Sequence, residues 1–99
     1  MHSKELLSGL AEFYKIFADA TRLRILDLLL DNEKCVSEIA SKLDVSQSAI
    51  SHQLKTLRAS NLVKTRKNGQ TVNYSITDKH IEIIIKYGLE HIKETIHEK

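Results

Sequence analysis

Ninety-nine residues, 41% hydrophobic and 28% charged, have the composition of one small globular domain, near the lower size at which a chain buries its own core. The absence of proline and the presence of only three glycines disfavour a turn-rich sandwich, and the single Cys35 excludes an intrachain disulfide framework and favours a reducing, cytoplasmic setting. The net charge of +2 is uneven: residues 45–77 hold Lys55, Arg58, Lys64, Arg66 and Lys67 and no carboxylate, so this stretch carries +5 against −3 elsewhere and suggests a polyanion-facing surface.

The N-terminal MHSKELLSGL lacks the apolar run of a signal peptide, and no stretch approaches the roughly 18 apolar residues of a membrane span. The sequence reads as a complete, untargeted protein of one domain over 1–99. Leu6, Leu10, Phe13 and Phe17 recur at helical spacing and predict a first amphipathic helix over 4–18. Asp19 is placed to cap a second helix, ATRLRILDLLLDN, whose Leu23, Leu26 and Leu30 form the expected core face with Ile25 and Leu29 flanking it. A short third helix, CVSEIASKL, turns Val36, Ile39, Ala40 and Leu43 inward.

Asp44 and Val45 make a tight break, since Asp tolerates left-handed turn geometry, and Ser46 then caps a fourth helix, SQSAISHQLKTLRAS. Ile50, Leu54 and Leu57 bury one side of it. Two strand-like runs, LVKTRK and TVNYSI, flank Asn68-Gly69-Gln70, a strong hairpin signal. The last element, from about Asp78 to His97, is helical. Four helices, a hairpin and a long helix describe a mainly α winged helix-turn-helix.

A helix enters the major groove when its outer face is polar and free of carboxylates. The fourth helix meets this condition with Gln47, Ser48, Ser51 and His52 toward base edges or phosphates, Ser46 at its start, and Lys55 and Arg58 toward the backbone. Arg66 and Lys67, with Asn68 and Gln70 at the hairpin tip, extend the DNA-binding surface to an adjacent groove or its phosphates.

The last helix carries a second pattern. His80 and His91 are eleven residues apart, so they face within about 20° of each other but stand about 16 Å apart along the axis. Metal–ligand bonds of about 2 Å cannot span that separation. An antiparallel second copy of the helix would bring Asp78 and His80 of one chain to His91 and Glu94 of the other and generate two equivalent sites about a two-fold axis near Ile85 and Lys86. Ile81, Ile84, Ile85, Gly88, Leu89 and Ile92 form the apolar stripe expected to make the dimer seam, with Gly88 allowing close approach. The N/O donor set suits Zn(II), with Co(II) or Ni(II) as competitors, and disfavours the thiolate-seeking Cu(I), Cd(II) and arsenite. Four protein ligands with no evident nucleophile or base beside them argue against a zinc hydrolase, so neither catalysis nor a small organic substrate is expected.

FADATRLRILDLL, CVSEIASKL, VSQSAISHQLKTLRASNLV and RKNGQTVNYSI together resemble the ArsR/SmtB family of metal-responsive winged-helix repressors over essentially the whole chain. The D-x-H-x10-H-x2-E spacing of Asp78, His80, His91 and Glu94 resembles the branch that senses Zn(II) and related ions on the last helix. The resemblance implies a homodimer through the first and last helices, binding of the metal-free form to an imperfect inverted repeat in double-stranded operator DNA, and release on metal binding. In place of the Cys-Val-Cys of the arsenic, cadmium and lead branch stands Cys35-Val36-Ser37, and the N-terminal segment offers only His2. Cys35 is therefore read as structural, and His97 as a surface residue that could extend a nickel or cobalt site. A carbonyl near Asn61 or Leu62 is the expected acceptor for the free ring N–H of His91, since metal-bound histidines usually donate that proton. The alternative is a winged-helix repressor with structural zinc or a thiol-based signal at Cys35.

Overall fold

Short polar residues divide the chain into its helices. The computed structural model describes residues 1–97, with the His97 side chain outside the described set. The helices are α1 (Lys4–Phe17), α2 (Ala20–Leu29), α3 (Val36–Leu43), α4 (Gln47–Ala59) and α5 (Lys79–His97), and the strands are β1 (Lys34–Cys35), β2 (Val63–Asn68) and β3 (Thr71–Ile76). Ser3 Oγ accepts from the Leu6 N–H at 3.1 Å, Asp19 Oδ2 from Arg22 at 2.9 Å and Ser46 Oγ from Ala49 at 3.2 Å. Each bond satisfies a donor that the first turn of a helix leaves without a carbonyl.

Two left-handed residues set the frame around α4. Asp44 (φ 55°) ends α3, with Val45 N–H returning to Ala40 O at 3.1 Å. Asn61 (φ 67°) ends α4: its N–H bonds Arg58 O at 3.0 Å, and the Leu62 N–H bonds Leu57 O at 2.9 Å. That pair of bonds is a Schellman closure, and Leu57 and Leu62, both fully buried, supply its apolar clasp.

The core joins Ile25, Leu26, Ile39, Ile50, Leu54, Leu57 and Leu62, all inaccessible to solvent, to Phe17 of α1 and Ile81 and Ile85 of α5. The face expected for α2 is rotated. Ile25, Leu26 and Leu29 are its buried residues, Leu30 is half-buried, and Leu23 is 40% exposed. The cause is packing on two sides: α3 and α4 both pack on α2, whose buried residues are Ile25, Leu26 and Leu29, while Leu23 borders a groove lined by residues of α1 and α5.

The hairpin pairs Val63↔Ile76 through Asn68↔Thr71, so Asn68 is the last strand residue and the turn is Gly69-Gln70. Gly69 has φ +66°, at the position where a type II′ turn takes glycine. A third strand joins the wing, unforeseen from sequence: β1 pairs with β3 (Lys34↔Tyr74, Cys35↔Asn73), giving the order β1-β3-β2. Two residues show no alternating pattern, which is why β1 leaves no sequence signal.

Candidate nucleic-acid interface and metal centre

The buried row Ile50, Leu54 and Leu57 fixes the rotation of α4 and leaves Gln47, Ser48, Ser51, His52 and Lys55 exposed on its other side. Ser46 is exposed as well, but its hydroxyl is engaged as the cap and lies 3.4 Å from Ser48 Oγ. Ser51, Lys55 and Arg58 line a groove of about 530 Å³ whose other wall is Tyr74 of β3. The polar face of α4 and the wing therefore form one surface. Lys67, Asn68 and Gln70 are exposed at the wing tip.

Arg66 is exposed but not free. Its Nε donates to Glu33 Oε2 at 3.2 Å, and its Nη2 donates to Glu33 Oε1. The guanidinium holds the Glu33 carboxyl below the usual carboxylate range, and Glu33 in turn raises Arg66. Sequence reasoning missed Glu33 because it lies outside the basic segment; β1 brings it there.

At the start of α5, Asp78 Oδ1 accepts from the His80 N–H at 2.9 Å and the Ile81 N–H at 3.3 Å, and it lies 3.5 Å from His80 Nδ1. Both side chains face solvent, His80 at 88% exposure and Asp78 at 55%. His91 and Glu94 are exposed one turn apart near the other end of the helix. Among the described residues, no three His, Cys, Asp or Glu side chains of the one chain come together. The four candidate ligands thus form two separate exposed pairs, with donors suited to Zn(II) but no complete set within one chain.

The stripe between them is divided differently from the expectation. Ile81 and Ile85 are only 4% and 6% exposed and belong to the chain's own core, so they cannot form the seam. At 100° per residue, the side chains lying within about 40° of the His80–His91 line are Ile84 and Tyr87. Ile84 is half-buried and Tyr87 is 68% exposed. Lys86, near the expected axis, donates to Glu82 Oε1 at 2.7 Å. Leu6, Leu10 and Tyr14 of α1 and Leu89, Ile92 and Ile96 of α5 are exposed apolar residues, and Tyr14, Leu89 and Ile92 border the groove of about 320 Å³ that contains Leu23. A Cβ on Gly88 would meet nothing within 4 Å in the single chain.

Cys35 is half-buried, with Sγ 3.2 Å from Ser37 Oγ, and its N–H bonds Glu38 Oε1 at 3.0 Å. The carbonyls considered for His91 already have a partner. Thr77 Oγ1 donates to Asn61 O at 2.9 Å and to Leu62 O at 3.2 Å, and the Thr77 N–H also reaches Leu62 O at 3.1 Å. The single hydroxyl proton is shared between the two carbonyls, with Asn61 O the nearer, and Leu62 O is also held by the Thr77 N–H, so Asn61 O has the fewer partners among the described residues. No helix is long and apolar enough to cross a membrane, among the described residues.

Residues 19–65 match the family described as bacterial regulatory protein, arsR family. The chain is 41% identical over 86 residues to a transcriptional repressor SmtB homolog of Synechocystis, an alignment covering 87% of this chain and 65% of that protein. It is 46% identical over 72 residues to the transcriptional activator HlyU of Vibrio cholerae, covering 73% and 67%. The chain thus spans about two thirds of the length of these relatives. Among solved structures it resembles the homodimeric winged helix-turn-helix DNA-binding domain of Mb0332 from Mycobacterium bovis, with a TM-score of 0.88, 27% identity and coverage of 99% of this chain and 94% of that one. Fold, helix order and sequence agree, and the chain belongs to the ArsR/SmtB family of winged helix-turn-helix regulators.

Proposed function

We propose that this chain is a homodimeric, metal-responsive transcriptional repressor whose metal-free form binds an inverted repeat in double-stranded DNA and whose affinity falls when Zn(II), or Co(II) or Ni(II), occupies sites across the dimer interface. One observation carries the metal assignment. Asp78 with His80 and His91 with Glu94 are exposed pairs, nearly symmetric in sequence about residue 86, and neither pair meets a third donor among the described residues of its own chain. A two-fold antiparallel pairing of α5 matches Asp78 and His80 with His91 and Glu94 of the partner subunit and completes four N/O ligands twice.

Exposed Leu6, Leu10 and Tyr14 on α1, with Leu89, Ile92 and Ile96 on α5, supply the apolar surface for that dimer. On DNA, Gln47, Ser48, Ser51 and His52 face the major groove, Lys55 and Arg58 lie toward phosphates, and Lys67, Asn68 and Gln70 approach the neighbouring groove. Bound metal would fix the two α5 helices relative to each other, and the chain answers through the spacing of its α4 helices. Half-sites one turn apart, about 34–36 Å, tolerate little change in that spacing. Moving the population from 1:99 to 99:1 requires about 5.5 kcal/mol of differential binding. By linkage, operator DNA weakens metal affinity by the same factor. Asn61 O, which Thr77 shares with Leu62 O, is the acceptor we assign to the ring N–H of a metal-bound His91.

The test is a Co(II) titration followed by visible absorption, with zinc as competitor. Intense ligand-field bands with no thiolate charge-transfer band, saturating at one ion per chain, are the expected result. A thiolate band would move the signal to Cys35, and DNA affinity unchanged by metal would leave zinc a structural role at most.

A further inference from the structure

The fold inserts one carboxylate into a surface that the sequence keeps free of them. Cys35, Asn73 and Arg66 lie in one row across β1, β3 and β2. Glu33 immediately precedes β1, at the edge of this sheet. Arg66 reaches over β3 and places Nε and Nη2 on the two Glu33 oxygens. This is the edge of the guanidinium that also fits two phosphate oxygens. The remaining ion pairs among the described residues, Lys15–Glu12, His80–Asp78 and Lys86–Glu82, lie on α1 or α5. Arg66 is thus the one cation of the basic segment held by a carboxylate among the described residues.

We propose that Glu33 competes with the DNA backbone for Arg66 and so limits the affinity that the wing contributes. The proposal rests on the reading of this chain as a DNA-binding protein. While paired, Glu33 and Arg66 are together neutral and add nothing to attraction by a polyanion. When Arg66 turns to a phosphate it must leave the carboxylate, which then faces the duplex unpaired. Both effects weaken binding equally for every base sequence, since no base edge is involved. The depressed Glu33 carboxyl keeps the competitor charged throughout the neutral range.

The experiment measures metal-free full-length protein against a fluorescein-labelled DNA duplex of arbitrary sequence by anisotropy at several salt concentrations. It compares wild type, Glu33→Gln, Arg66→Ala and the double variant. Glu33→Gln should bind about two- to fivefold tighter per protomer, the range expected for releasing a cation from an exposed ion pair. That gain should largely disappear in the Arg66→Ala background. Unchanged or weaker binding by Glu33→Gln overturns the competition, and so does an equal gain with and without Arg66, which would make Glu33 a general repulsive charge. Wild-type protein that binds no duplex even at low salt would overturn the DNA-binding reading and this inference together. Wild-type binding with an inert Glu33→Gln overturns the inference alone.

Discussion

The hydroxyl of Thr77 donates to the carbonyl of Asn61 at 2.9 Å, tying the residue before Asp78 to the left-handed residue that ends α4. The proposed metal half-site at the start of α5 is therefore one residue from a bond to the end of α4, the helix proposed to read DNA. Thr77→Val keeps the shape and the Thr77 N–H bond to Leu62 O but deletes this bond. The expected outcome is near-normal zinc affinity and near-normal metal-free DNA affinity, with a coupling between them smaller by about fivefold, the equivalent of one hydrogen bond. Titrating DNA with and without zinc measures it. Coupling at the wild-type level would show that the hydroxyl carries none of the signal.

His80→Ala and His91→Ala should each retain DNA binding and lose the response to zinc, because both side chains are exposed and hold no part of the core. Asp78 needs a different substitution, since Oδ1 also caps α5 through His80 and Ile81. Asp78→Ala removes cap and ligand together, and lost caps cost about 1 kcal/mol. Asp78→Asn keeps a capping oxygen and should leave thermal stability close to wild type while weakening zinc. Isothermal titration alongside thermal melting separates the two roles. Zinc-induced release that persists in His80→Ala or His91→Ala would remove the metal assignment.

What the sequence revealed depended on how far apart the interacting residues lie. Caps such as Asp19 and Ser46 act over three residues, and the Ile50–Leu54–Leu57 row repeats at helical period, so both were legible. The rotation of α2 was not, because Leu23 and Ile25 are equally apolar and only packing by α3 and α4 decides between them. The same ambiguity assigned Ile81 and Ile85 to a dimer seam when the chain's own core takes them. Glu33 escaped notice because its partner is 33 residues away and the strand that joins them has two residues. The Asp78, His80, His91 and Glu94 spacing was readable as a pattern, yet the described residues of one chain do not gather it into a site, and the proposed completion calls on a second chain.

The division of the α5 stripe predicts opposite phenotypes for neighbouring apolar residues. Ile92 is 55% exposed, so Ile92→Asp should reduce the mass seen by light scattering toward that of one chain while far-ultraviolet circular dichroism retains helix. Ile85 is buried in the core, and Ile85→Ala should cost about 2–5 kcal/mol of stability, the range for emptying an aliphatic core position. Denaturant titration measures the second effect. A wild-type mass for Ile92→Asp would move the dimer contact away from this part of α5.

Acid should act on the α3 cap. Glu38 Oε1 accepts from the Cys35 N–H at 3.0 Å, and this bond, chiefly, holds the Glu38 carboxyl below its ordinary value. A carboxylate depressed in the folded state contributes stability that is present above its unfolded pKa and is lost as pH falls through the folded one. The contribution should therefore be intact near neutrality and disappear below about pH 4, under the usual glutamate range. Glu38→Gln keeps an acceptor for the same N–H but cannot titrate. Its melting temperature should fall less steeply than wild type between about pH 5 and pH 3, where glutamates ordinarily protonate. Parallel acid limbs for the two proteins would show that the Cys35–Glu38 bond contributes nothing to stability. A flatter limb for Glu38→Gln identifies this cap, at the entry to the helix-turn-helix, as one source of the protein's acid sensitivity.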